Sequence, residues 1–198
     1  MIAVDKQDVI TFFNRLAPSW DADMVRDDRI IGIILDKGGV QAGKRILDVA
    51  CGTGVLFPDY LKRDVASVTG VDISPEMARI AGEKFAGEEK IRVLCADVQE
   101  VCFAERFDCI IIYNAFPHFS EPETLFARLQ TLLVPGGRLT VAHGMSRKKI
   151  DAHHSGDARK VSMGLMHQDA LAALMGRFVT VDTVISDEEK YIVSGYAG

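Results

Sequence analysis

The chain has 198 residues, 48% of them hydrophobic, which suits one globular domain with a sizeable core and suggests no second domain. A formal net charge of -5, with no basic run longer than Arg147-Lys148-Lys149, argues against a broad nucleic-acid or anionic-membrane footprint, and no segment approaches a membrane span. The first residues lack a charged stretch followed by an apolar one, so a cytoplasmic protein is expected, and Cys51, Cys95, Cys102 and Cys109 without Cys-x-x-Cys spacing read as reduced, mostly buried thiols.

From Asp5 to Asp36 the chain reads as helical: Val9, Ile10, Phe13 and Leu16 recur at helical spacing, Pro18-Ser19-Trp20 breaks the pattern, and a second helix carries Ile30, Ile31, Ile33, Ile34 and Leu35. Ile46 to Leu56 then reads as a buried strand running into a glycine turn and opening a helix. Asp48 stands at the strand's carboxyl end and Gly52 and Gly54 follow, a loop that lets a ligand approach the backbone. A dinucleotide fingerprint needs a small residue at position 57, where Phe57 stands, so a nicotinamide cofactor is the weaker reading.

The second strand, Ser67 to Asp72, ends in an acid placed to accept both hydroxyls of a ribose lying across the crest of a sheet. Ser74, Pro75 and Glu76 make a helix start, for which capping is the simpler role. The third strand, Ile91 to Val98, again finishes in an acid, Asp97. Phe107 to Asn114 is a near-continuous apolar run, as in a parallel strand covered on both faces, with Asp108 structural at its start. Leu129 to Val134 closes a helix before Pro135-Gly136-Gly137, and Arg138 to His143 supplies a fifth strand. His167 to Met175 is a short helix, and Phe178 to Val184 and Glu189 to Gly195 complete seven strands.

The run Asp48-Val49-Ala50-Cys51-Gly52-Thr53-Gly54 resembles the first motif of class I S-adenosylmethionine-dependent methyltransferases, acid-x-Gly-x-Gly-x-Gly. Ala50 replaces the first glycine, as in the C-methylases of quinone biosynthesis, and an ordinary negative φ is expected there. Phe13 to Asp21 is similar to a segment that, in many small-molecule methyltransferases, folds over the cofactor and lines the acceptor pocket, with Trp20 at its aromatic position. Leu133 to Leu139 resembles the family's Leu-x-Pro-Gly-Gly-x-Leu. The resemblance implies an α/β Rossmann-like sheet of order 3-2-1-4-5-7-6, strand seven antiparallel, with helices on both faces. It also implies S-adenosyl-L-methionine as cofactor, with Asp48, Ala50, Cys51, Gly52, Gly54, Asp72, Ile73, Met77, Asp97, Val98 and Asn114 around it. Within that set Asp97 would take the adenine amine and the Val98 N–H a ring nitrogen.

Methyl transfer from a sulfonium is an in-line displacement, to which a site contributes by aligning the acceptor and excluding water; a base is needed only where the nucleophile carries a proton. Candidates come from the ends of strands four and five: Asn114, His118 and His143 as catalytic groups, and Phe116 and His118, with Trp20, as acceptor contacts. Asn114-Ala115-Phe116-Pro117 does not match the Asn/Asp-Pro-Pro-aromatic motif of amino-methylating enzymes, so no nucleic-acid substrate is expected. The whole chain, 1–198, is read as a single domain, with 1–40 a helical cap and 144–166 a lid contributing His153 and His154 to the acceptor. Two adjacent histidines point apart in a strand and about 100° apart in a helix, so no metal site is expected there. The expected function is methyl transfer to a small-molecule acceptor by a monomer or homodimer. A non-catalytic cofactor-binding protein and a protein or RNA methyltransferase are the alternatives.

Overall fold

The computed structural model describes residues 4–153 and 160–198, and only the backbone of 151–153. Seven strands, β1 (Arg45–Val49), β2 (Ser67–Asp72), β3 (Ile91–Cys95), β4 (Phe107–Tyr113), β5 (Leu133–His143), β6 (Thr180–Ser186) and β7 (Tyr191–Tyr196), form one sheet in the order β3-β2-β1-β4-β5-β7-β6. Pairing is parallel from β3 through β5, and β7 runs antiparallel to both β5 and β6. This is the order and the single reversed strand expected from the resemblance.

The near-continuous apolar runs of β1 and β4 divide by alternation between two covered faces. Leu47, Val49, Ile110 and Ile112 meet Leu125, Phe126 and Leu129 of α6 (Pro122–Thr131) and Leu171 and Met175 of α8 (Gln168–Met175). Ile46, Cys109 and Ile111 meet Ile31 and Leu35 of α3 (Asp28–Lys37) and Phe57 and Tyr60 of α4 (Phe57–Lys62). Cys51 and Cys109 are buried as expected, whereas Cys95 and Cys102 are exposed.

Four strands differ from the sequence expectation by two residues or more: β6 and β7 each begin two residues late, at Thr180 and Tyr191, and β5 and β3 differ further. β5 begins at Leu133, which pairs with Phe107, and continues through Pro135-Gly136-Gly137 instead of starting after them. Gly136 turns with φ +72°, and at Gly137 a Cβ would come within 2.9 Å of the Val134 carbonyl and 3.0 Å of the Phe107 carbonyl, so the strand can irregularly bridge this stretch only with glycine. β3 stops at Cys95, and Asp97 sits in the following turn, where its Oδ1 accepts from the Gln99 N–H at 2.9 Å.

The register sets the carboxyl ends of five parallel strands level: Val49 pairs with Val71 and Ile112, Asp72 with Cys95, and Tyr113 with Ala142. Over that edge lies the N-terminal segment, made of α1 (Lys6–Leu16), a 3-10 turn (Ala17–Ser19) and α2 (Trp20–Asp23). α1 starts where Asp5 accepts from the Gln7 N–H at 2.7 Å, and α3 where Asp27 accepts from the Ile30 N–H at 3.0 Å. α1 buries only Val9 fully, so polar contacts tie it down. One such contact reaches each of the first three loops: Asp21 to Thr53 after β1, Asn14 to Ser74 after β2, and Lys6 to Asp97 after β3. The connection after β5 starts as α7 (Arg147–His153). Among the described residues no helix is long and apolar enough to cross a membrane.

Candidate functional site

A cleft of about 540 Å³ opens between the level strand ends and the N-terminal segment. Its first half is the loop after β1, where alternate residues take left-handed backbone: Ala50 at φ +56°, Gly52 at +57° and Gly54 at +79°. Ala50 therefore departs from the ordinary negative φ expected for it. The turn is held by the Cys51 N–H donating to the Val71 carbonyl at 3.1 Å and the Gly54 N–H to that of Cys51 at 3.0 Å, which leaves Ala50 no extended alternative.

The two glycines do different work. A Cβ on Gly52 would have no neighbour nearer than Trp20 Nε1 at 3.9 Å, and both residues line the cleft. A Cβ on Gly54 would lie 2.7 Å from the Phe57 ring and 2.8 Å from that of Phe85, two edge-packed rings with centroids 5.1 Å apart. Gly54 does not line the cleft. It admits the aromatic core behind the loop, and Phe57, whose size weakened the dinucleotide reading, fills the space a small residue would have left.

Asp72 closes the loop from below. Its Oδ2 accepts from the Gly52 N–H at 2.8 Å and its Oδ1 from the Ser74 N–H at 2.8 Å, so it fixes two loops while each oxygen keeps a further lone pair. The side chain is nearly buried, and desolvation pushes its carboxyl up to about 6, against the pull of those two donors. Asp48 is deeper still. Desolvation pushes it up to about 8, partly offset by the Tyr60 hydroxyl and reinforced by the charge of Asp72. Burial also holds the Cys51 thiol well above its ordinary value, so it is an inert wall of the cleft. Ser74 caps α5 (Pro75–Lys84) by accepting from the Met77 N–H at 3.3 Å and donates to Asn14, and Glu76 pairs with Arg79 on the surface; neither lines the cleft. Ile73, Met77, Asp97 and Val98 do line it.

The second half lies at the ends of β4 and β5. Asn114 takes φ +54°, donates its N–H to the Ala142 carbonyl at 2.9 Å and accepts from the Gly144 N–H at 2.9 Å, so it ties the two strand ends together at the cleft wall. His143 is buried, with its ring edge-on to Tyr191 at 6.0 Å. His118 presents its Nδ1 to the Val161 carbonyl at 2.6 Å, and its ring stands edge-on to Phe13 at 4.9 Å. Asn114, His118, His143 and Trp20 all line the cleft. Phe116 does not: it is turned inward and stacks on Phe126 at 5.6 Å, as the apolar half of a short 3-10 turn packed on α6. His153 ends α7 without its side chain being described, and His154 lies outside the described residues.

Several lining residues were not singled out from sequence. Tyr113, Met24, Val25, Phe119, Met145 and Ile150 complete the apolar walls, and Lys6 reaches Asp97 across 91 positions of chain. Phe119 and Tyr113 flank residues that were singled out, so strand-end position was the available signal. For Lys6 there was none, because a lone exposed lysine on an amphipathic helix has no local mark.

Residues 46–137 match the family described as methyltransferase domain. Among curated relatives, the chain is 35% identical over 141 residues to a demethylmenaquinone methyltransferase of Thermus thermophilus, covering 65% of this chain and 62% of that one. It is 30% identical over 112 residues to a ubiquinone biosynthesis O-methyltransferase of Aeromonas salmonicida, covering 55% and 47%. The chain thus spans about half the length of the curated relatives it matches. Among solved structures, an N-methyltransferase from Bradyrhizobium japonicum in complex with S-adenosyl-L-homocysteine superposes with TM-score 0.74 at 15% identity, covering 96% of this chain and 98% of that one. A magnesium protoporphyrin IX methyltransferase from Synechocystis gives 0.72 at 18%, covering 98% and 100%. At these identities the structural likeness establishes the fold.

Proposed function

We propose that the chain carries a domain of the class I S-adenosylmethionine-dependent methyltransferases and transfers a methyl group from S-adenosyl-L-methionine to a small-molecule acceptor. The observation that carries this reading is the convergence of three strand-end acids, Asp48, Asp72 and Asp97, and the left-handed Gly52 turn in one half of a cleft whose other half is mainly apolar. The donor set fits the cofactor. Asp72 retains lone pairs for two ribose hydroxyls, and Gly52 offers backbone with open space where a side chain would project. Asp97 faces the cleft with an acceptor for an exocyclic amine, Val98 continues its turn, and Ile73 and Met77 supply apolar walls for a flat ring. Ala50 and Cys51 shape the turn, and Asp48 supplies a carboxyl beside the loop.

When bound, the sulfonium supplies an electrophilic methyl carbon. The chain's own contribution is placement and dryness. Asn114 holds the ends of β4 and β5 together at the far wall, Trp20 covers the glycine loop, and Met145 and Ile150 bring the segment after β5 over the same space. Met145 and Ile150 thus wall the acceptor side, and the cap over the cofactor is narrower than the 1–40 expected: Lys6–Asp23 covers the cleft, whereas α3 packs on a face of the sheet. His118 and His143 are the titratable groups of the acceptor half fit to accept a proton. A macromolecular substrate finds less support, since the cleft is roofed by the chain's own N-terminal segment.

Calorimetry with S-adenosyl-L-methionine and S-adenosyl-L-homocysteine tests the cofactor, with saturable binding of both expected. Binding of a nicotinamide dinucleotide in their place would overturn the reading. Labelled methyl donor with a metabolite extract, followed by mass spectrometry, then identifies the acceptor; cofactor binding with no labelled product would favour a non-catalytic binding protein.

A further inference from the structure

We propose that Lys6 is a second reader of the cofactor's base: its ammonium donates to N7 of the adenine while Asp97 accepts from the exocyclic amine, so that an ion pair between the roof and the loop after β3 recognises one edge of the purine. Resting on the cofactor reading above, this assignment deepens it, and it concerns a residue that carries no local mark in the sequence.

The geometry starts with Asp97. Its Oδ1 accepts from the Gln99 N–H at 2.9 Å, which fixes the carboxylate in the turn, and its Oδ2 accepts from Lys6 Nζ at 2.5 Å. Asp97 and Lys6 both line the cleft, beside Ala96, Val98 and Gln99 of the same turn. Oδ2 keeps a further lone pair. An ammonium has three hydrogens, of which Asp97 takes one and Glu100, 3.9 Å away, can draw at most a second. An acceptor and a donor thus stand side by side, 2.5 Å apart, close to the spread of oxygen and nitrogen across one carboxamide. Adenine presents the complementary pair, an N6 amine donor next to the N7 acceptor, which a single Asn or Gln side chain reads in nucleic acids through two hydrogen bonds. Here the two halves of that reader come from residues 91 positions apart.

The placement of Lys6 is not explained by the helix it begins. Lys6 is the first residue of α1, where a cation opposes the helix dipole by about 0.3–1 kcal/mol, and Asp5 already caps that end by accepting from the Gln7 N–H. Nor is the pair with Asp97 a strong clamp, because the Lys6 side chain is 54% exposed and such pairs contribute at most about 1 kcal/mol. Its clearer effect is on charge. The hydrogen bond to Asp97 raises the Lys6 pKa, and Glu100 and Glu121 add to the rise against the desolvation that works the other way. The group therefore remains an ammonium, with hydrogens to give and no lone pair to repel N7. Because Lys6 belongs to the roof, the base meets its full set of partners only when α1 is seated over the loop after β3.

The test replaces one ring atom. In S-(7-deazaadenosyl)-L-homocysteine a C–H stands where N7 accepts, with the amine and the rest of the molecule unchanged. Calorimetric titration of the full chain is expected to show S-adenosyl-L-homocysteine binding about fivefold tighter or more than the deaza compound, the low end for a lost bond to a charged group because Lys6 is half exposed. In Lys6→Met, which keeps the stem and removes the ammonium, that preference is expected to fall below about twofold. A residue that only positions Asp97 or holds the roof would weaken both ligands alike and leave no preference in the wild-type chain. Equal affinities for the two ligands in the wild-type chain, or tighter binding of the deaza compound, therefore overturn the proposal. So does a preference that survives Lys6→Met, since the donor to N7 would then lie elsewhere, and so does loss of all measurable binding in Lys6→Met, which one such contact cannot account for. Failure of S-adenosyl-L-homocysteine to bind the wild-type chain overturns the cofactor reading itself and this proposal with it.

Discussion

Substituting alanine for each of the two glycines of the loop after β1 should separate ligand binding from folding, because one Cβ points at the cleft and the other at the core. Both substitutions place a side chain on left-handed backbone, at φ +57° for Gly52 and +79° for Gly54, which costs about 1–2 kcal/mol. At Gly52 little else is added, since the nearest atom is Trp20 Nε1 at 3.9 Å. At Gly54 the methyl would sit 2.7 Å from Phe57 and 2.8 Å from Phe85, and overpacking adds about 1–3 kcal/mol, for about 2–5 kcal/mol in all. At about 2–4 °C per kcal/mol for a chain of this size, Gly54→Ala should lower Tm by about 4–20 °C and Gly52→Ala by about 2–8 °C. Calorimetric titration with S-adenosyl-L-homocysteine should show the reverse order. The methyl of Gly52→Ala stands where the ligand meets the backbone and should weaken binding at least tenfold, whereas Gly54→Ala, measured below its melting range, should stay within threefold. If Gly52→Ala binds as wild type while Gly54→Ala does not, the assignment of the two faces is wrong.

Three other substitutions test the same half of the cleft. If Asp72 accepts the two ribose hydroxyls as proposed, Asp72→Ala should weaken cofactor binding by about 3 kcal/mol, roughly a hundredfold, while Glu76→Ala, paired with Arg79 on the surface, should change it less than twofold; equal losses in calorimetry would remove Asp72 from the ribose. Ala50→Gly relieves a left-handed alanine of about 1–2 kcal/mol and costs about 0.5–1 in chain entropy, so thermal unfolding should show no loss and up to about 1.5 kcal/mol of gain; a clear destabilisation contradicts the φ of +56°. Asp48, raised to about 8, keeps its proton in the folded chain while the unfolded chain loses it near 3.8, so the folded state binds more protons between these values and its stability falls as pH rises through that window. Asp48→Asn should therefore flatten the decline of Tm between pH 5.5 and pH 8, by about 1–3 kcal/mol at the upper end, and an unchanged slope would show that Asp48 ionises normally.

Local patterns in the sequence carry the strands because a parallel strand covered on both faces must be apolar at nearly every position, as Phe107–Tyr113 is, and because Asp48, Asp72 and Asp97 mark where such strands end at the cleft. The first and second boundaries, Arg45–Val49 and Ser67–Asp72, follow directly from that contrast. The start of β5 does not, since Pro135-Gly136-Gly137 reads as a break and becomes a strand irregularity only through pairing of Leu133 with Phe107, a contact 26 positions away. Side-chain direction is less legible still. Phe116 lies two residues from Asn114 and from His118, yet it faces Phe126 while they line the cleft, because the chain leaves β4 into a 3-10 turn whose rotation the sequence does not announce. Ala50 departs from its expected φ for a related reason: the Cys51 and Gly54 hydrogen bonds that close the loop impose it, not the residue's own preference.

The N-terminal segment joins these observations to function. With only Val9 fully buried on α1, hydrophobic burial holds the N-terminal segment weakly, and its position depends on Lys6 and Asn14 of α1 and Asp21 of α2, each bonded to a different one of the three loops. Exposed pairs such as Lys6 with Asp97 and Lys84 with Asp21 contribute at most about 1 kcal/mol each, so the roof is a low-stability element resting on the loops that the cofactor itself must contact. The burial of Val4 and Val9 against Val161, and of Phe13 against His118, extends the same roof over the acceptor half. On the proposed function, one weakly held segment would cover both substrates. On that reading, whatever orders the three loops also orders the wall contributed by the same segment, and closing the cleft in this way would exclude water from the transfer.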